Sequence, residues 1–340
     1  GLKDMAKRAG AEGQGRKVRR FGALALLAAL VGCTPRDFAR REALWPEGAP
    51  GALGEGVGDR PERFYYLPAA GTANGAAAAA APAPTTLAYG SDPLQALDLW
   101  VPQGKPAPLV LFVHGGGWSR GSKSNAVGRA LPGHLLAQGY AFASIDYRLV
   151  PAATVEQQAA DVAASLAYLL GRADELGIDR SRVVLTGHSA GAHLVALVGT
   201  DERYLRAAGL SFADIDGVMP NDGAGYDVAA QVRSTAPMMR ETYTQAFGTD
   251  PIRHQALSPI THADAPNAPA FLLIHVQRPD GVAQAKALAA ALKRSGTKVE
   301  IGSFPGEGLR GHMEINRRLG EPDYPATPVM DAWLKSVLGA

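Results

Sequence analysis

The chain has 340 residues, 46% of them hydrophobic and 19% charged, which supplies a sizeable core and excludes a disordered or fibrous chain. Its formal net charge is +2, from 34 Lys/Arg against 32 Asp/Glu. Seven of those basic and two of those acidic residues fall in the first 32 positions; the remainder holds 27 basic and 30 acidic residues, net −3, and gives no polybasic reason to bind nucleic acid.

The N-terminus reads as a targeting segment. Arg16-Lys17-Val18-Arg19-Arg20 is a basic n-region, and Phe21 to Gly32 is an apolar stretch of twelve residues, too short to span a bilayer. Leu30-Val31-Gly32-Cys33 has the form of a bacterial lipobox, and the single cysteine of the chain stands in it. One cysteine cannot close an internal disulfide, so the expectation is a diacylated Cys33 that anchors the protein to a membrane. Thr34 resembles the residue after the cysteine in lipoproteins sorted to the outer membrane, which implies a cell-envelope location on the periplasmic or surface face.

Residues 34–84 are rich in Pro, Gly and Ala and read as a tether. Phe64-Tyr65-Tyr66-Leu67 is the exception and suggests a short strand. From Thr85 onward strands and helices alternate, which predicts an α/β domain over 85–340 with a mostly parallel sheet flanked by helices and no N-terminal helical cap. The predicted strands are 85–90, 96–101, 108–113, 140–146, 182–187, 270–276 and 298–304, with one more around 217–222. Thr154 and Gln157 form a capping box, and Val155, Ala159, Val162, Leu166 and Leu169 give the following helix an apolar stripe of period 3.6. A helix is expected over 283–295, with Lys293 and Arg294 in its last turn and Gly296 beyond it. Another closes the chain over 331–338. Residues 200–258 alternate less cleanly and suggest helices that roof a site.

Two glycine motifs carry the chemistry. Gly187-His188-Ser189-Ala190-Gly191 follows the apolar run Val183 to Thr186 and precedes a helix-like segment, the setting of a nucleophile elbow. His114-Gly115-Gly116-Gly117-Trp118 follows the apolar run Pro108 to Val113 and has the form of a loop that presents backbone N–H groups to an oxyanion. Together they imply hydrolysis through an acyl-serine, with Ser189 as nucleophile and the N–H groups of Gly116, Gly117 and Ala190 as the oxyanion hole.

On these motifs the chain resembles the α/β-hydrolases, near the bacterial feruloyl-esterase-like and hormone-sensitive-lipase-like esterases. The resemblance extends from about Thr85 to the C-terminus and includes Leu97-Asp98-Leu99-Trp100-Val101-Pro102, Gly121-Ser122-Lys123, Ser144 to Leu149, Ser258-Pro259-Ile260 and Gly311-His312. The His-Gly-Gly-x-Trp form is also similar to kynurenine formamidases. The fold implies a triad in the chain order Ser, acid, His. That order selects His312, in a glycine-rich stretch after the last strand, as base. The expected acid is Asp280, just past the strand 270–276, with Asp264 before that strand as the runner-up. Trp118 and His188 are expected near the substrate pocket, Trp118 alternatively packing on the core. Tyr147, Arg148 and Asp146 read as structural.

No H-E-x-x-H, Cys/His ligand spacing, G-x-G-x-x-G or P-loop occurs, so neither metal nor cofactor is expected. The implied activity is carboxylic ester hydrolysis, favouring short-chain or aromatic acyl esters in an uncapped site. The alternatives are an arylformamidase acting on N-formylkynurenine-type amides, and a non-catalytic surface-binding lipoprotein. The small-molecule ester and the membrane are the expected partners; the oligomeric state is unknown from sequence.

Overall fold

The structure, a computed structural model, describes residues 81–124 and 128–339. The n-region, Cys33, the Phe64–Leu67 segment and the tether up to residue 80 lie outside the described residues. Residues 81–84, at the end of the expected tether, are held to the domain by Trp100 Nε1–H, which donates to the Pro82 carbonyl at 2.8 Å.

Eight strands form one sheet: β1 (Thr85–Ala88), β2 (Ala96–Trp100), β3 (Ala107–Val113), β4 (Ala141–Ile145), β5 (Ile178–His188), β6 (Gly217–Asn221), β7 (Ala270–Gln277) and β8 (Lys298–Glu307). Their spatial order is β1-β2-β4-β3-β5-β6-β7-β8, the α/β-hydrolase arrangement. β1 and β2 run antiparallel to their neighbours, and the other pairs are parallel. All residues of β3, β4 and β6 are buried, as expected of strands covered on both faces, and this is why they read as continuous apolar runs.

Alternate residues of each strand feed two cores. Leu109, Leu111, Val113, Leu185 and Phe271 face one side with the helices Val155–Gly171, Ala190–Thr200 and Pro279–Arg294. Val110, Phe112, Val184, Met219 and Leu272 face the other, with the helices Ala130–Ala137, Gly308–Arg318 and Ala326–Leu338. The capping box forms: Thr154 Oγ1 accepts from Gln157 N–H, and Gln157 Oε1 accepts from Thr154 N–H. The helix expected from residue 283 begins at Pro279, because Pro at the first helical position is preset in φ and needs no hydrogen-bond donor. The last helix likewise starts earlier, at Ala326.

One difference bears on chemistry. His312 is not on a loop. β8 runs to Glu307, and the helix Gly308–Arg318 begins at once, with His312 in its second turn. A Cβ on Gly311 would lie 2.5 Å from the Gly306 carbonyl carbon, so the glycines of this stretch serve a tight strand-to-helix corner instead of a mobile loop.

Candidate active site

The carboxyl ends of β3, β5 and β6 meet at one edge of the sheet, where Val113 pairs with Gly187 and His188 with Asn221. Open α/β sheets place their ligands at such an edge. The described residues with positive φ that are not glycine are Trp118 (61°), Ser189 (56°) and Asp222 (46°), and they stand after β3, β5 and β6 in turn. Backbone strain of this kind costs on the order of 1–3 kcal/mol per residue and persists where the surroundings fix it.

Ser189 turns the chain from β5 into the helix Ala190–Thr200, with φ 56° and ψ −116°. Its N–H donates to the Asn221 carbonyl at 3.1 Å, which ties the turn to the end of β6. Gly191 faces the end of β3: a Cβ there would sit 2.0 Å from the Val113 carbonyl oxygen. Gly191→Ala is therefore expected to destabilise the fold by about 3 kcal/mol or more, read as the shift in urea midpoint. A midpoint within experimental error of the wild type contradicts this close approach.

The loop after β3 packs onto the serine. A Cβ on Gly115 would meet the Ser189 Cβ at 3.0 Å, and one on Gly116 (φ 124°) would meet the Arg120 carbonyl oxygen at 2.0 Å. Only glycine fits this curl, which leaves the Gly116 and Gly117 N–H groups without partners among the described residues. Ala190 opens its helix, where backbone N–H groups also lack intrahelical acceptors. The loop is fastened from behind. Tyr147 O–H donates to the His114 carbonyl (2.9 Å), Gln158 Nε2 donates to the Trp118 carbonyl (2.7 Å), and the His114 ring stacks on Tyr147. Tyr147 is thus structural, as its sequence position implies. Arg148 is as well, pairing with the buried Asp161 at 2.7 Å, and so is Asp146, which accepts the Lys123 N–H at 2.6 Å.

The partner of His312 corrects the sequence reading. His312 Nδ1 lies 2.6 Å from Asp222 Oδ2, and Asp222 is fully buried. Asp280, the expected acid, points elsewhere: its Oδ2 accepts from Arg278 (3.3 Å) and Gln231 (3.2 Å). Helix Pro279–Arg294 begins so early that Asp280 stands in its first turn, where its carboxylate pairs with Arg278. Asp264 is exposed on the segment before β7. Sequence reasoning missed Asp222 although it anticipated a strand at 217–222, and Asp222 follows Ser189 and precedes His312 as the chain order requires.

Asp222 accepts three side-chain and backbone donors: His312 Nδ1–H, Arg278 Nε–H at 2.9 Å, and the Val276 N–H on Oδ1 at 3.1 Å. Burial raises its proton affinity, but the bond from His312 and the charge of Arg278 outweigh this and hold the carboxyl below the usual carboxylate range. An ionised Asp222 fixes the His312 proton on Nδ1 and leaves Nε2 as the basic nitrogen.

Trp118 and His188 are 2% and 3% exposed, so they offer a substrate little surface. Trp118 packs in an aromatic cluster with His193, Tyr243 and Phe247, the core role left open by the sequence. His188 lies beside His312, ring centroids 4.4 Å apart, and its Nε2–H donates to the His312 carbonyl at 2.8 Å. It therefore packs against His312. Among the described residues no group of three or more His, Cys, Asp or Glu is placed to hold a metal ion.

Four buried histidines are kept neutral. Burial, then the neighbouring His312, pushes His188 down to about 3. Burial pushes His193 down to about 4 and lowers His114 and His275. Each binds a proton more readily once unfolded, near pH 6.5. Unfolding thus takes up protons below that pH, and stability falls as pH drops from 6.5 toward 4. The urea midpoint is expected to be clearly lower at pH 5 than at pH 7; an unchanged midpoint shows that these side chains are hydrated.

The comparisons with known proteins agree with this architecture. A family model described as BD-FAE matches residues 97–292. Esterase LipC of Mycobacterium tuberculosis is 34% identical over 203 residues, 56% of this chain and 49% of LipC. The probable carboxylic ester hydrolase LipM of the same organism is 31% identical over 179 residues, 50% of this chain and 40% of LipM. The chain thus spans about half the length of these curated relatives or less. Among solved structures, a truncated carbohydrate esterase from gut microbiota superposes with a TM-score of 0.65 at 22% identity, covering 78% of this chain and 99% of that one, which shows the shared fold. The family match runs from β2 into the helix after β7, more than half of the chain, and places this protein in the BD-FAE family on an α/β-hydrolase fold.

Proposed function

We propose that this protein is a serine carboxylesterase in which Ser189 is the nucleophile, His312 the base and Asp222 the acid that orients it. The observation that carries the reading is the 2.6 Å bond from His312 Nδ1–H to a buried, ionised Asp222, on the same sheet edge as a serine held at φ 56°. The esterase names of the relatives support it. Ser189 Oγ attacks the ester carbonyl carbon while its proton passes to His312 Nε2. The N–H groups of Gly116, Gly117 and Ala190 donate hydrogen bonds to the developing oxyanion. Collapse expels the alcohol, which takes the proton from Nε2. Water, deprotonated by Nε2, then attacks the acyl-serine and releases the carboxylic acid.

Apolar acyl groups suit the surroundings. Leu309 and Met313 are exposed on the helix that carries His312. Met238 and Met239 are exposed just before the helix Arg240–Phe247, whose Thr242 methyl is what a Cβ on Gly117 would meet. Short-chain or aromatic acyl esters are the substrates of this reading. Turnover of p-nitrophenyl butyrate and methyl ferulate well above that of N-formylkynurenine supports it; the reverse ranking selects an arylformamidase. The lipid anchor at Cys33 is a proposal from sequence alone, and a diacylglyceryl-modified Cys33 in mass spectra of the membrane-extracted native protein is its test.

A further inference from the structure

Arg278 has no place in the triad, yet its guanidinium is wrapped around the acid. Nε–H donates to Asp222 Oδ2 at 2.9 Å, the same oxygen that accepts His312 Nδ1–H. A terminal N–H₂ group donates to the Asp222 and Gly223 carbonyls at 3.3 and 3.2 Å, and the other donates to Asp280 at 3.3 Å. The side chain is 14% exposed and its carboxylate partner fully buried. A guanidinium is a rigid fork, so contacts to both the side chain and the backbone of Asp222 fix the rotamer as well as the charge.

We propose that Arg278 is a positioning residue for the His312–Asp222 pair: it locks the carboxylate that receives Nδ1–H, and its charge, trimmed by Asp280, sets how far into acid the base remains usable. This rests on the reading of His312 as the base. By sharing Oδ2, Arg278 draws off part of the negative potential that would otherwise stabilise a protonated His312. Asp280 partly cancels Arg278. The other titratable groups nearby do not substitute for this pair. His188 at the end of β5 and His275 on β7 are held neutral by burial. Lys286 lies on the following helix, and Glu314 on the His312 helix pairs with Arg318.

The test is the pH dependence of kcat and KM for p-nitrophenyl butyrate with the full chain and the variants R278M, R278K and D280N. The acid limb of R278M is expected to move to higher pH by about one unit, with plateau kcat down about tenfold and KM within about twofold. R278K keeps the charge and the limb but not the fork, so its kcat falls while its limb stays near the wild type. D280N unmasks Arg278 and moves the limb the opposite way, by a few tenths of a unit. If R278M loses activity with an unmoved limb, Arg278 is only a structural support and the proposal fails. If R278M does not fold, R278K and D280N decide: an unmoved limb in D280N overturns it. Loss of all dependence on Ser189 or Asp222 sinks the esterase reading itself, a separate outcome.

Discussion

Asp222→Asn is expected to lower kcat by up to about 10⁴ with little change in KM, whereas Asp280→Asn stays within about tenfold of the wild type. The contrast follows from what each carboxylate holds. Asp222 is buried and accepts the Nδ1 proton at 2.6 Å. An amide of the same shape can turn its N–H₂ toward the ring, which favours the tautomer with the proton on Nε2 and leaves no basic nitrogen for the serine. Asp280 is 34% exposed on its side chain and accepts hydrogen bonds from Arg278 and Gln231. The measurement is steady-state hydrolysis of p-nitrophenyl butyrate at the pH optimum, with circular dichroism confirming that both variants are folded. A larger loss in Asp280→Asn than in Asp222→Asn returns the acid to the β7 end.

Ser189→Ala is expected to have the largest effect, a fall in kcat on the order of 10⁶, since removal of the nucleophile leaves only binding and the oxyanion donors. Alanine keeps the Cβ that packs beside Gly115 and makes the same backbone demand as serine. The melting temperature is therefore expected to stay within about 2 °C of the wild type. Active-site titration with a phosphonate ester gives an independent readout: one equivalent modifies the wild type and none modifies the variant. Turnover that survives in Ser189→Ala moves the chemistry to another group.

Much of this was legible in the chain because it rests on local steric demands. Gly187-His188-Ser189-Ala190-Gly191 could be read as an elbow because Gly191 must lie against the Val113 carbonyl and no side chain fits there. The glycines after His114 were legible for the same reason. His312 followed from chain order, but its setting did not: glycines at 306, 308 and 311 suit a loop as well as a corner, and only packing between β8 and the next helix decides. The partner of His312 was misplaced because both strand ends carry an aspartate nearby. What separates them is a long-range fact, the contact of His312 with Asp222 across 90 residues. The backbone hint at Asp222, a φ of 46° in Asn221-Asp222-Gly223, is tolerated by aspartate without any mark in the sequence.

If the proposed triad holds, the position of Asp222 also decides when ester hydrolysis can begin as the chain folds. Ser189 and Asp222 end two strands that pair directly, and one backbone bond from Ser189 to Asn221 joins their turns. His312 comes 90 residues after Asp222, on the helix Gly308–Arg318. On the proposed triad, a chain folded through β7 already holds Ser189, the loop N–H groups and Asp222, yet it is expected to show no turnover until Gly308–Arg318 seats against the sheet. Recovery of ester hydrolysis during refolding is thus a clock for that final docking step, and it is expected to lag behind the far-ultraviolet dichroism that records the strands and helices already formed.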